Sequence, residues 1–323
     1  FLAFAHGAFL NGFGAWKGQS GGLHRSIDGG KTVERVLALD PASTENQHGQ
    51  EVIVCDPGST NMAKAWGSRT WWFLFHKEKA GGQLYRSNTA GSKDSWASVG
   101  TAIDGSKFER VWQFTMDSAG RFYVASKKGL FWSASAPTGQ GSFTAIGGGL
   151  PAAECHTVRI SADAQTLVAS IIGGTAAQNG VWLSTNGGTS FTRILACAAK
   201  DIEVDWLASP FVIYCRNMDT TASKNTVYVS RNADRSIWAT ATVTPILGTT
   251  KKTLSAGSFE AFMKASPIVS GLLVIHGSDQ FWVSDDGGRT VSGKGNQGHQ
   301  GINSSLQNVL ISRHKTIAGR IDM

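Results

Sequence analysis

The sequence predicts an all-β chain assembled from repeated four-stranded antiparallel units, and three observations carry that expectation. One phrase recurs six times, an apolar, aromatic-rich strand that ends in serine and runs into a turn. The clear copies are GGLHRSIDGGKT at Gly21–Thr32, GVWLSTNGGTSF at Gly180–Phe191 and QFWVSDDGGRT at Gln280–Thr290. Weaker copies are QLYRSN at Gln83–Asn88, GLFWSAS at Gly129–Ser135 and TVYVSRNADRSIW at Thr226–Trp238. The terminal serines Ser26, Ser87, Ser133, Ser184, Ser230 and Ser284 recur every ~46–61 residues, the length that four short strands and their turns require. No window holds a sustained apolar period of ~3.6 residues, so almost no helix is expected.

From Ser284 through the chain end and back to Ser26 is about 65 residues, one more unit of the same class. The expectation is therefore a six-bladed β-propeller, a single domain over residues 1–323, closed by N- and C-terminal strands that share a blade. The fourth repeat shows the internal plan. HTVRISADAQ alternates apolar and polar residues and turns at 162–165, TLVASII is a short apolar run, NGVWLS alternates again, and SFTRIL closes the unit. The sixth reads EAFMKAS, LLVIHG, QFWVS, TVSG. The tail QNVLISRHKTIAGRI reads as the first strand or two of a blade, and FLAFAHGAFLNG supplies the next.

Composition fits this plan. The 39 glycines and 11 tryptophans among 323 residues suit tight turns between bulky strands. No stretch approaches the ~18–20 apolar residues of a membrane span. Phe1 begins inside a strand-like run without an initiator Met, so the sequence reads as a portion of a longer product. Cys55, Cys155, Cys197 and Cys215 lack CxxC spacing and read as small buried hydrophobes, with Cys155–His156 the one hint of a nucleophile. The even count permits disulfides without implying them. The net charge of +7 favours an acidic partner by long-range attraction.

The turn of SIDGGKT has a structural rationale. Asp28 can accept backbone N–H bonds inside it, and Gly29 and Gly30 can take positive φ. A calcium loop would need several oxygen ligands at alternating positions, and only one is present, so neither metal nor cofactor is expected. The pattern S-x-D-x-G-x-T resembles the Asp-box, or BNR repeat, of sialidase-like β-propellers. Its residues here are Ser26, Asp28, Gly30 and Thr32; Ser184, Asn186 and Gly188; and Ser284, Asp286, Gly288 and Thr290. The aromatic after the box is kept at Phe191 and replaced by Val33 and Val291. The resemblance extends across nearly the whole chain and implies the fold but not one activity. Such propellers include sialidases, xyloglucan-cleaving glucanases, sorting receptors, photosystem assembly factors and phage or lectin-like modules. A sialidase would add an arginine triad, a Tyr–Glu nucleophile and an acidic residue near the first strand. Here His6 stands in that last place, and Tyr85, Tyr123, Tyr214 and Tyr228 all fall inside expected strands.

Asp-box turns join third to fourth strands, which puts them on one face. Loops between second and third strands, and between blades, lie on the other, the face that carries ligand sites in this family by resemblance. Those loops are rich in cations: Lys17, Lys77, Lys127, Lys128, Arg216, Lys251 and Lys252. His6, His76 and His276 follow second strands in three blades, and Trp16 and Trp66 are placed to stack on sugar faces. Arg and Lys suit carboxylate, sulfate or phosphate groups through charge-assisted bonds. For a glycoside hydrolase, two carboxyl groups at a mechanism-set separation would be needed. Glu260, Glu154 and Asp201 are the candidates, with Glu203 nearby, and Glu260 has Lys264 or Lys252 as a candidate ion-pair partner. No pair stands out.

The expected function is a non-catalytic recognition or structural module that binds an anionic glycan or a protein surface. Its expected setting is extracellular, on a cell surface or in a virion, with homo-oligomers or a larger assembly and no nucleic acid. A sialidase-like glycoside hydrolase and an assembly factor are the alternatives.

Overall fold

A computed structural model of the chain describes residues 2–5, 22–28, 32–39, 52–56, 69–77, 81–219, 224–244, 254–255, 262–276, 281–293, 310–311 and 321–322. Nearly all regular structure in them is β. The chain divides into two compact units, Phe1–Gly147 with Ala162–Ala164, and Gly148–Ser161 with Gln165–Met323.

The first unit holds three antiparallel sheets. They are β1 (Leu2–Ala5), β2 (Gly22–Arg25) and β3 (Glu34–Ala38); β4 (Ile53–Cys55), β5 (Trp71–Lys77), β6 (Gly81–Ser87) and β7 (Ala97–Ile103); and β8 (Val111–Met116), β9 (Phe122–Ser126), β10 (Gly129–Ser133) and β11 (Thr144–Ala145). The short helix α1 (Gly105–Phe108) follows β7, capped by the Asp104 side chain. Aromatics from the sheets, the helix and the connections form one core: Trp72 meets Phe122 edge-on at 4.9 Å, and Phe108 of α1 meets Phe143 at 5.7 Å. Such pairs add roughly 0.5–1.5 kcal/mol each beyond the area they bury.

The second unit begins with a regular four-stranded sheet, β12 (Cys155–Ile160), β13 (Leu167–Ile171), β14 (Gly180–Ser184) and β15 (Thr192–Leu195). Next come β16 (Ala199–Asp205), β17 (Val212–Asp219), β18 (Lys224–Ser230) and β19 (Ala239–Thr240). After β20 (Thr242–Thr244) and β21 (Leu254–Ser255), a further sheet is built from β22 (Phe262–Ala265), β23 (Leu273–His276), β24 (Phe281–Ser284) and β25 (Thr290–Gly293). One pairing departs from the expected plan: β20 leaves the preceding sheet and runs parallel to β25, Thr242 opposite Thr290. The tail forms an antiparallel pair, β26 (Leu310–Ile311) with β27 (Ile321–Asp322).

Burial grades across each sheet. The second strands β9 (FYVAS) and β13 (LVASI) are buried at every residue, which is why they read as apolar runs without alternation. The third strands β10 and β14 share one pattern of two buried, two intermediate and one buried residue. The fourth strands β11 and β19 are two residues long and exposed, short edges that resist pairing with other chains. Mostly antiparallel four-stranded sheets, nearly without helix and buried on both faces of their inner strands, match a β-propeller.

Each third strand ends as the repeat requires, and all six terminal serines are buried. The Ser284 hydroxyl donates to Asp286 at 2.8 Å and accepts the Gly288 amide at 2.8 Å. The Asp286 carboxylate in turn accepts the Thr290 amide at 3.0 Å and the Thr290 hydroxyl at 2.6 Å. Ser26, Asp28 and Thr32 repeat these bonds at 2.8, 3.0 and 2.6 Å. Hydrogen bonds from Thr32 and Ser26 hold the Asp28 carboxyl down to about 2. Asn186 substitutes by reversing one bond: its Oδ1 accepts from Ser184 and the Ser190 amide, while its Nδ2 donates to the Ser190 hydroxyl at 2.9 Å. Gly187, Gly188, Gly287 and Gly288 all have positive φ, as the turn demands. Gly30 lies outside the described residues.

Candidate functional site

A group of buried ionisable side chains lies in the second unit, where β16 has β12 on one side and β22 on the other. The run CAAKDIE reads as a connecting loop, yet from Ala199 onward it is strand β16, and every residue of that strand is buried. Likewise CRNMDTTASKN reads as a loop, but its first five residues, Cys215–Asp219, complete β17 and bury Arg216. Both corrections have one cause. Charged residues alternate with apolar ones here, and the faces that would meet water in a lone sheet are covered by neighbouring strands.

Asp201, Glu203 and Asp205 share one face of β16, two residues apart. Asp201 bridges both neighbours. It accepts the Thr157 hydroxyl from β12 at 3.1 Å and the Met263 amide from β22 at 2.8 Å. On β17 its register partner is Arg216, whose guanidinium, 1% exposed, is pushed down from its ordinary pKa by burial and pulled up by Asp201. Glu203 receives Arg159 from β12, at 2.8 Å from Nε and 2.5 Å from an Nη, and Lys264 from β22 at 3.3 Å. Burial raises the Glu203 carboxyl to about 7, against the downward pull of Arg159. Burial also lowers the Lys264 ammonium to about 7. Asp205 accepts the Leu207 amide in its own turn, and the Ser270 hydroxyl at 2.8 Å and Gly271 amide at 2.7 Å from the β22–β23 turn. The acids of β16 thus form a ladder of bonds to the sheet of β22.

At the start of β12, Glu154 accepts or shares a proton with His156 Nε2 at 2.6 Å. Burial lowers the His156 pKa, opposed by the Glu154 bond. Cys155 beside them is buried and its thiol is pushed up to about 12 by desolvation, which removes the nucleophile hint.

Of the carboxyl candidates, Glu154 and Asp201 are brought into the same region, on and beside neighbouring first strands, with Glu203 between the cations; Glu260 lies outside the described residues. Lys264, one of the two cations considered for Glu260, has its ammonium on Glu203. In the first unit, Lys127 and Lys128 sit at the β9–β10 turn as expected, half exposed, and both pair with Glu109 at 2.5 and 3.0 Å. Their bonds draw the Glu109 carboxyl down to about 2. His76 is 2% exposed and packs against the Phe108 ring, and desolvation lowers its pKa to about 4. His6, Trp16, Lys17, Trp66, Lys251 and Lys252 lie outside the described residues, as do the side chains of Lys77 and His276. Tyr214 lies opposite Glu203 in the β16–β17 register, but its ring packs in the apolar cluster with Val229 and Trp282, and burial raises its phenol pKa.

Arg159, Lys264 and the Asp205 network were absent from the candidates as site residues. The signal that could have found them is the alternation D-I-E-V-D, in which three acids share one face of a strand flanked by apolar residues. Asn232 was also missed: it accepts the Ser230 hydroxyl at 3.0 Å and fills the acid position of the fifth copy. Among the described residues, no group of His, Cys, Asp and Glu able to hold a metal occurs and no helix is long and apolar enough to cross a membrane.

Comparison with known proteins bears on the fold. No protein-family model and no curated protein sequence matches the chain. Among solved structures, a GH74 xyloglucanase from Xanthomonas campestris matches over 84% of this chain and 42% of its own, with 12% identity and a TM-score of 0.56. The chain thus spans about two-fifths of that enzyme's length. YCF48 bound to D1 peptide matches over 90% of this chain and 79% of its own, with 12% identity and a TM-score of 0.54. Both are propeller proteins, and the likeness supports a β-propeller fold for this chain.

Proposed function

We propose that the chain is a six-bladed Asp-box propeller that acts as a non-catalytic recognition module, binding an acidic partner, either a protein surface or an anionic glycan. The observation that carries this reading is the bonding of the β16 acids. Asp201 is committed to a hydroxyl and a backbone amide on two neighbouring strands, and Glu203 to two cations. A general acid or nucleophile needs a carboxyl oxygen free for substrate, whereas these hold strands together. The net charge of +7 draws acidic partners. A propeller neighbour of this chain has been solved with a peptide bound, which supports a polypeptide as one such partner. The setting proposed is a secreted, cell-surface or virion assembly.

Binding to immobilised acidic peptides and to a sulfated and sialylated glycan array, measured across a salt series, tests the reading. Capture that weakens as salt rises is expected, because exposed charge pairs are screened within about 8–10 Å. Turnover of a fluorogenic sialoside or a β-glucan, abolished by Asp201→Asn or Glu203→Gln at unchanged melting temperature, overturns it.

A further inference from the structure

Two thiols that the proposed function does not use lie in contact at the start of β16. Cys197 Sγ is 3.7 Å from Cys215 Sγ, with Cys215 fully buried on β17 and Cys197 part-exposed in the connection from β15. The backbone there is already tied across: the Ala198 amide donates to the Asn217 side chain at 2.9 Å, and Ala199 is the register partner of Asn217. A bond requires the sulfurs to close from 3.7 Å to about 2.05 Å. We propose that Cys197 and Cys215 are a redox pair that closes to a disulfide when the protein meets a small-molecule disulfide oxidant such as oxidised glutathione.

The accessible thiol acts first. Cys197 loses its proton to solvent, and its sulfur attacks one sulfur of the oxidant, whose S–S bond breaks and releases one thiolate that takes up a proton. Cys215 then loses its proton and attacks the Cys197 sulfur, forming the protein disulfide and expelling the second thiolate, which is also protonated. Two protein thiols are oxidised and one small disulfide is reduced to two thiols. Burial and the adjacent Cys197 sulfur raise the pKa of Cys215 well above that of an ordinary thiol, so the second step is slow and quickens with pH. The bond would fix the entry to β16 next to the register shift between Ala199 and Asp201, and so couple the redox state to the strand that carries the acid ladder.

The test uses the full chain, incubated with reduced or oxidised glutathione, followed by thiol titration under denaturing conditions, intact mass and peptide mapping. The expected result is a fall from four free thiols to two, loss of the mass of two hydrogens, and a single crosslinked peptide joining Cys197 to Cys215. The melting temperature rises by a few degrees, since closing a short loop restricts the unfolded chain. Cys55→Ser with Cys155→Ala retains the crosslink, and Cys197→Ser abolishes it. Four persistent thiols, a stable glutathione adduct on Cys197, or a crosslink to another cysteine overturns the proposal. These readings on the native chain decide the matter even if a variant fails to fold.

Discussion

Asp201 on β16 accepts the backbone amide of Met263 on β22 at 2.8 Å, across 62 residues of sequence. Its other oxygen takes the Thr157 hydroxyl, so one carboxylate ties three strands from three sheets. Removing it leaves a buried amide and a buried hydroxyl without their acceptor and takes a negative charge from beside the buried Arg216. Asp201→Ala is expected to destabilise the protein by about 3 kcal/mol, because stranding buried polar groups and weakening the field around a buried cation are both costly. Urea denaturation of the two proteins measures it.

In the turns that follow the terminal serines the acid is the replaceable part. Burial, the largest single influence on Asp286, favours its neutral form, but the bonds from Thr290, Ser284 and the Arg289 amide together outweigh it and hold the carboxyl at about 2. Asn186 shows that an amide fits once the Ser190 hydroxyl turns to accept. Asp286→Asn is therefore expected to cost under ~1 kcal/mol, and Ser284→Ala about 2 kcal/mol, since the latter strands the buried Gly288 amide. Thermal melts of the two variants, read side by side, should rank them in that order.

Gly180 opens β14 with a φ of +153°, and a Cβ there would lie 2.1 Å from the Leu195 carbonyl oxygen. That oxygen is backbone on the paired strand, so the clash is relieved only by separating β14 from β15. Gly180→Ala should destabilise by about 2–4 kcal/mol. Gly120, whose Cβ would meet nothing within 4 Å despite its φ of +83°, provides the control, with a penalty of about 1 kcal/mol from backbone strain alone.

Burial lowers the His76 pKa to about 4. Between that value and about 6.5 the unfolded chain binds a proton that the folded chain excludes, so stability falls as pH drops through this window. The loss should approach 2–3 kcal/mol at pH 4, since each pKa unit is worth about 1.4 kcal/mol. In His76→Phe this component of the pH dependence should vanish. A denaturation series from pH 7 to pH 4 gives both slopes, and equal slopes would remove His76 as the cause.

The repeat made the strands legible. Serine ends, glycine turns and apolar runs are local properties, and β12 to β15 and β22 to β25 fall where those signals put them. The fifth sheet was read less well, because Lys200, Asp201, Glu203 and Arg216 are polar yet buried. The partners of Asp201 and Glu203 stand some 44–62 residues away in Thr157, Arg159 and Met263, and no local pattern announces such pairings. The parallel seat of β20 on β25 was hidden for the same reason. Lys127 and Lys128 were correctly placed in a turn, but their shared neutralisation by Glu109 depends on the backbone of α1.

Ser87 and Ser133 end their strands in copies that kept neither the acid nor the paired glycines, and both hydroxyls remain inside, bonded to Ser95 and to the Ser135 carbonyl. A hydroxyl that both gives and takes a proton can re-aim at whatever the following residues offer. Worn copies of this unit in other chains should therefore be sought by an inward serine at the close of an aromatic strand, long after the aspartate of the turn has gone.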